Sequence, residues 1–137
     1  MKPTSTEALQ ANTAAYVKSV RDANAKAVKT FQEAFAKNPT WTLEWRTEDV
    51  LVTQAQLRLV DWIESIVIPY SPETDVEKII SLVNDEIQSR LAEMVRCPVD
   101  PNSTSPMANL NTICEGKAKA AYVRGIAGLI GNIPLSM

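Results

Sequence analysis

Apolar residues recur along most of this chain at intervals of three and four, the spacing that puts them on one side of an α-helix. Val17, Val20, Asn24, Ala27, Phe31 and Ala34 form the first such stripe, with Lys18, Arg21, Asp22, Lys26, Lys29 and Glu33 on the other side. The pattern predicts a long helix from Thr6 to Lys37. Thr4 and Glu7 are spaced as a capping box, and Asn38-Pro39 is its stop, because proline biases its predecessor away from helical geometry. Before Val17 the stripe is thin, mostly Ala, Thr and Gln, so that third must pack closely on something or fray.

A second helix is predicted from Glu48 to Ile68. Thr47 is its N-cap candidate, and Glu48 and Asp49 suit the positive end of the helix dipole. Val52, Ala55, Leu59, Ile63 and Ile66 line one face, and Leu51, Val60, Trp62, Val67 and Ile68 widen it, so this helix is expected at the centre. Pro69 ends it. The third helix is expected over residues 73–96, with Ser71-Pro72 as N-cap and N1 and Thr74 with Glu77 as a further capping box. Val76, Ile80, Val83, Ile87 and Met94 form its stripe. Glu73, Asp75, Glu77, Asp85, Glu86 and Glu93 read as an acidic outer face. After a proline-rich loop from Cys97 to Ser105, a fourth helix is expected over residues 107–131, closed off by Pro134.

Between the first two helices the period changes. Trp41, Leu43 and Trp45 alternate with polar residues, the rhythm of extended chain. The expectation is therefore an extended Trp-containing loop laid over the helices. In all, the chain reads as all-α: a four-helix bundle-like single domain, residues 1–137, with a long N-terminal helix.

Several positions break the pattern. Ala118, Ala121, Gly125 and Gly128 make a seam of small residues in the fourth helix. Glycine there costs about 1 kcal/mol relative to alanine, and close approach of another helix would compensate. That helix belongs either to a partner or to this same domain. The following segment, with Leu129 and Ile130, is apolar; read alone it resembles a membrane-surface peptide, and docking into a core is the plainer reading. Arg90 stands where an apolar residue is expected. It must be paired if buried, and snorkelling to solvent is the reading favoured from sequence. Asn24 on the first stripe either sets register against a neighbouring helix or faces solvent. Trp41, Trp45 and Trp62 read as core or interface residues in preference to a ligand pocket.

Composition narrows the chemistry. The chain has 137 residues, 45% hydrophobic and 22% charged, with net charge −2 and no histidine. Without histidine it lacks the commonest general base and metal ligand, and neither a Ser-His-Asp triad nor the Glu-x-x-His pairs of di-iron bundles can form. No phosphate-cradling glycine loop or nucleophile elbow occurs. No catalytic residue, cofactor or metal site is therefore expected. The lysines of the first helix are diluted by Asp22 and Glu33 and lack interleaved aromatics, so nucleic acid is not an expected partner. Cys97 and Cys114 bracket the proline-rich loop; a bridge would contribute roughly 3 kcal/mol, but with no secretory signal they are expected reduced. With no signal peptide and no apolar run of about 20 residues, an intracellular or particle-associated location is expected.

These features lead to an expectation of a non-enzymatic structural or interaction subunit that self-associates or joins a larger assembly, such as a small bacteriophage capsid or tail accessory component. Its candidate contact residues are Trp41, Leu43, Trp45, Ala118, Ala121, Gly125, Gly128, Leu129 and Ile130. One alternative is an amphipathic protein on a lipid or granule surface, with a membrane ranked below protein as partner. Another is an enzyme whose site, using Asp61, Glu64 or Arg90, is completed between subunits.

Overall fold

The computed structural model describes residues 2–96 and 106–131, with side chains from 95 to 109 excluded. Among the described residues there are five helices and no strand: α1 (Thr6–Lys37), α2 (Pro39–Trp45), α3 (Thr47–Val67), α4 (Val76–Arg96) and α5 (Pro106–Leu129). The expected loop from Cys97 to Ser105, with Cys97 and the Ser105 cap, and the tail beyond Gly131 with Pro134 lie outside the described residues.

The four long helices form the bundle. The centre is α3, whose most extensive contacts are with α1 and α5, as its broad apolar face predicts. The core joins Leu9, Val17 and Val20 of α1 to Leu59, Val60, Ile63 and Val67 of α3, to Ile79, Ile80, Val83 and Ile87 of α4, and to Ala118, Tyr122, Val123 and Ile126 of α5. The thin start of the first helix is anchored within the chain. Thr6 and Thr13 are buried beside Leu9, continuing the stripe upstream. Threonine can stand in for an apolar residue because its hydroxyl bonds locally: Thr13 Oγ1 donates to the Leu9 carbonyl at 2.7 Å, and Thr6 Oγ1 to the Thr74 carbonyl at 2.6 Å. Gln10 Nε2 reaches the carbonyls of Val67 and Tyr70, at 3.2 and 2.7 Å, satisfying acceptors left open where α3 ends.

Asn24 also faces inward, and its Nδ2 donates to Thr53 Oγ1 of α3 at 3.0 Å. Asn24 therefore meets the neighbouring helix and does not face solvent.

Helix starts depart from the expected caps. Ser5, not Thr4, caps α1, accepting from the Ala8 N–H at 3.1 Å. Thr47 does not cap α3. Arg46 occupies that position without a side-chain cap bond, and Thr47 Oγ1 donates back to the Leu43 carbonyl. At α4 the Ser71-Pro72 start fails: Ser71 and Thr74 form a turn, with the Thr74 N–H on the Ser71 carbonyl at 3.0 Å. Nor does Thr74 cap. The Asp75 carboxylate accepts from the Glu77 N–H at 3.2 Å. Aspartate is the stronger capping residue, and Thr74's carbonyl is engaged by Thr6.

The largest difference lies at residues 39–45. The extended Trp loop is instead the helix α2. Asn38-Pro39 both stops α1 and starts α2. The Asn38 N–H closes on the Ala34 carbonyl at 2.8 Å, while its side chain accepts from the Trp41 N–H at 3.1 Å, with Pro39 in the first turn. A proline at N1 lacks an N–H that would have no helical partner anyway.

Candidate protein-interaction surface

Beyond Val20, α1 contributes no fully buried residue; Asn24, Ala27, Val28, Phe31 and Ala34 are only half-buried. At 1.5 Å per residue α1 is about 48 Å long, against about 32 Å for α3 and α4. Its last turns and α2 therefore form a corner at one end of the bundle. Phe31 and Phe35 stack there with ring centroids 5.9 Å apart.

The helix α2 is fixed by its inward side. Thr42 is fully buried, and its Oγ1 donates to the Asn38 carbonyl at 2.8 Å. That leaves the large apolar side chains outside. Phe35 is 41% exposed, Trp41 43%, Leu43 56% and Trp45 63%. Trp41, Glu44 and Trp45 share one face by their i, i+3, i+4 spacing, and the Arg46 guanidinium sits 5.4 Å from the Trp41 ring centre. Beside this corner a cleft of about 570 Å³ opens between α1 and α3, with Ala23, Ala27 and Val52 among its apolar walls and Lys26, Arg46 and Lys117 among its cations. Within it Lys117 is paired with Glu48, which raises the lysine's pKa, and Arg46 lies 3.7 Å from Asp49. Arg46 Nε is buried without a hydrogen-bond partner.

The remaining contact candidates divide. Ala118, Leu129 and Ile130 are buried in the chain's own core. Ala121 is half-buried. Gly125 is half-buried against Tyr16 of α1, whose Oη would lie only 2.6 Å from an added Cβ, whereas Gly128 is exposed with nothing nearby. The small-residue crossing at Gly125 is thus made within the domain. The apolar end of α5 is likewise core through Ile130. Trp62, expected to widen the central face, is instead 56% exposed.

The densest polar chemistry lies between α4 and α5. Glu86, expected on the acidic outer face, is buried. Tyr122 Oη donates to its Oε2 at 2.7 Å, and Arg90 Nε to its Oε1 at 3.2 Å. Arg90 Nη1 also reaches both Glu93 oxygens, at 3.0 and 3.1 Å, and Lys119 Nζ lies 3.3 Å from Glu93 Oε2. The Arg90 side chain is only 12% exposed, so it is paired and does not snorkel; the Trp62 ring covers its guanidinium at 5.2 Å. Burial opposes the Arg90 charge, but Glu86 and Glu93 outweigh it and raise its pKa. Burial would raise Glu93, yet Lys119 and Arg90 hold it below its usual value. Burial, then the bond to Glu86, pushes the Tyr122 phenol up, and burial alone takes Tyr16 to about 12.

Asp61, Glu64 and Arg90 do not converge. Asp61 is exposed, Glu64 pairs with Arg21 at 2.9 Å, and Arg90 belongs to the Glu86–Glu93 network. Cys114 is a buried free thiol whose pKa is raised by burial and by Glu48. Among the described residues no group of three His, Cys, Asp or Glu could hold a metal, and no helix is long and apolar enough to cross a membrane.

Sequence reasoning did not single out Phe35 or the cleft, nor the burial of Glu86. Phe35 follows Phe31 by one turn, which was a readable signal. The cleft depends on how α1 and α3 diverge, which no local pattern encodes. Compared with protein-family models, curated proteins and solved structures, the chain matches none of them.

Proposed function

We propose that this chain is a non-enzymatic structural and interaction subunit, holding other protein through the apolar corner of α1 and α2. The observation that carries the reading is the outward set of Phe35 at the end of α1 with Trp41, Leu43 and Trp45 on α2, a helix whose buried side is already fixed by Thr42. Tryptophan is over-represented among residues that dominate binding energy, and clustered exposed apolar side chains mark contact sites more often than idle surface. The polar interior supports the same reading: the Glu86 network is closed upon itself, as expected of a device that sets helix register. Within this class we place the chain in a virion, as a capsid or tail accessory component of a bacteriophage, a setting that suits a small helical chain without a catalytic motif.

The test is a Trp41→Ser/Trp45→Ser double variant, compared with wild type for incorporation into the particle or complex purified from the native source. Both side chains are outside the core, so the variant is expected to melt like wild type and fail to incorporate. Unchanged incorporation, or a wild-type chain that travels alone from its native source, overturns the proposal.

A further inference from the structure

The exposed corner and the cleft beside it lie on the same end of the molecule and complement one another. The projection carries Trp41, Glu44 and Trp45 on one face of α2. The cleft has apolar walls at Ala23, Ala27 and Val52, and a volume of about 570 Å³, enough for an indole ring with space left over. Arg46 joins the two features, because it ends α2 and also lines the cleft. A surface that presents a knob next to a matching hole can close on itself about a two-fold axis, each copy's knob entering the other's hole.

Charge agrees with this arrangement. Lys26 lines the cleft, and Glu44 stands between the two tryptophans on the projecting helix. Neither has an ion-pair partner among the described residues, whereas Arg46, Glu48, Asp49 and Lys117 around them are paired. Reciprocal insertion would present Glu44 of one copy to Lys26 of the other, twice.

Area agrees as well. Phe35, Trp41 and Trp45 together expose on the order of 400 Å². A stable interface needs roughly 800 Å² per partner. These three side chains supply about half of that, and the cleft walls, with Lys26 and Glu44 at the rim of the interface, add to it.

We infer that the first partner of this chain is a second copy of itself, in a two-fold dimer with α2 of each protomer seated in the α1–α3 cleft of the other and Glu44 facing Lys26 across the interface. This rests on the reading of the corner as a protein-binding surface and names the occupant.

Analytical ultracentrifugation of the full chain tests it. Wild type should sediment as a reversible dimer of the 15.1 kDa chain. Glu44→Lys and Lys26→Glu should each weaken dimerisation about tenfold or more, and the double variant should recover most of the loss. Trp45→Ser should give monomer with unchanged circular dichroism. A wild-type monomer at all concentrations overturns the inference, as does a dimer that ignores Trp45→Ser, or charge reversals that fail to rescue each other. Corner-dependent binding to anionic vesicles by a chain that stays monomeric also overturns it. If wild type is monomeric yet joins its native complex in a Trp45-dependent way, self-association fails while the interaction reading stands.

Discussion

At the scale of single residues, the two glycines of the α5 seam behave oppositely. At Gly125 an added Cβ would collide with the Tyr16 ring; at Gly128 it would meet nothing. Gly125→Ala is therefore expected to destabilise the fold by about 1–3 kcal/mol, the usual cost of overpacking, even though alanine favours the helix. Gly128→Ala keeps only the helix gain and should stabilise by about 0.5–1 kcal/mol. Urea denaturation of both variants checks the pair, and equal signs would contradict the placement of Tyr16. The seam was legible in the sequence because small residues recur at heptad spacing. Which of its glycines is covered was not, because that depends on a ring contributed from more than a hundred residues upstream. Arg90 teaches the same lesson. Its odd position on an apolar stripe is plain, but its carboxylate partners, Glu86 and Glu93, both fall among the residues that the pattern reads as an acidic outer face. The Tyr122 hydroxyl that helps satisfy Glu86 comes from another helix, and no local pattern announces it.

At the scale of elements, the four long helices were readable because each carries a sustained three-four rhythm and a proline, asparagine or glycine near an end. The short helix α2 reads as extended chain because five residues from Trp41 to Trp45 sample too little of any period. Alternation at 41, 43 and 45 fits a strand, while 41, 44 and 45 fit a helix face, and the capping chemistry decides between them. Asn38 supplies that decision. Asn38→Ala removes the side-chain acceptor for the Trp41 N–H and should cost about 0.5–2 kcal/mol. Because α2 is short and little buried, the loss should be local. Hydrogen exchange at residues 41–46 is expected to accelerate while α3 and α5 remain protected. Uniform acceleration throughout the bundle would show that α2 is integral to the core.

At the scale of the whole molecule, stability should depend on pH through its two inward tyrosines. Both are held as neutral phenols in the folded state, Tyr16 up to about 12 and Tyr122 higher, against 10.0 for an ordinary tyrosine. A raised folded pKa means that the unfolded chain releases its proton first as pH climbs. The contribution is intact below pH 10 and is lost above it, each tyrosine removing at most about 1.4 kcal/mol per pH unit. Tyr16 stops contributing to the slope once its own folded value is reached. Thermal melts of wild type and Tyr16→Phe through this alkaline range should diverge, the variant showing the shallower decline. Parallel declines would place the titrating groups elsewhere. The fold class was legible at this scale from the absence of strand patterns, whereas the placement of α3 at the centre rested on its breadth of apolar surface.

One arrangement at the molecular scale has an optical consequence. All three tryptophans, at positions 41, 45 and 62, stand on the outside of the bundle, so the indoles already meet water in the folded chain. Intrinsic fluorescence in this protein consequently reports first on what covers its surface, and only indirectly on an interior built on aliphatic side chains and Tyr122.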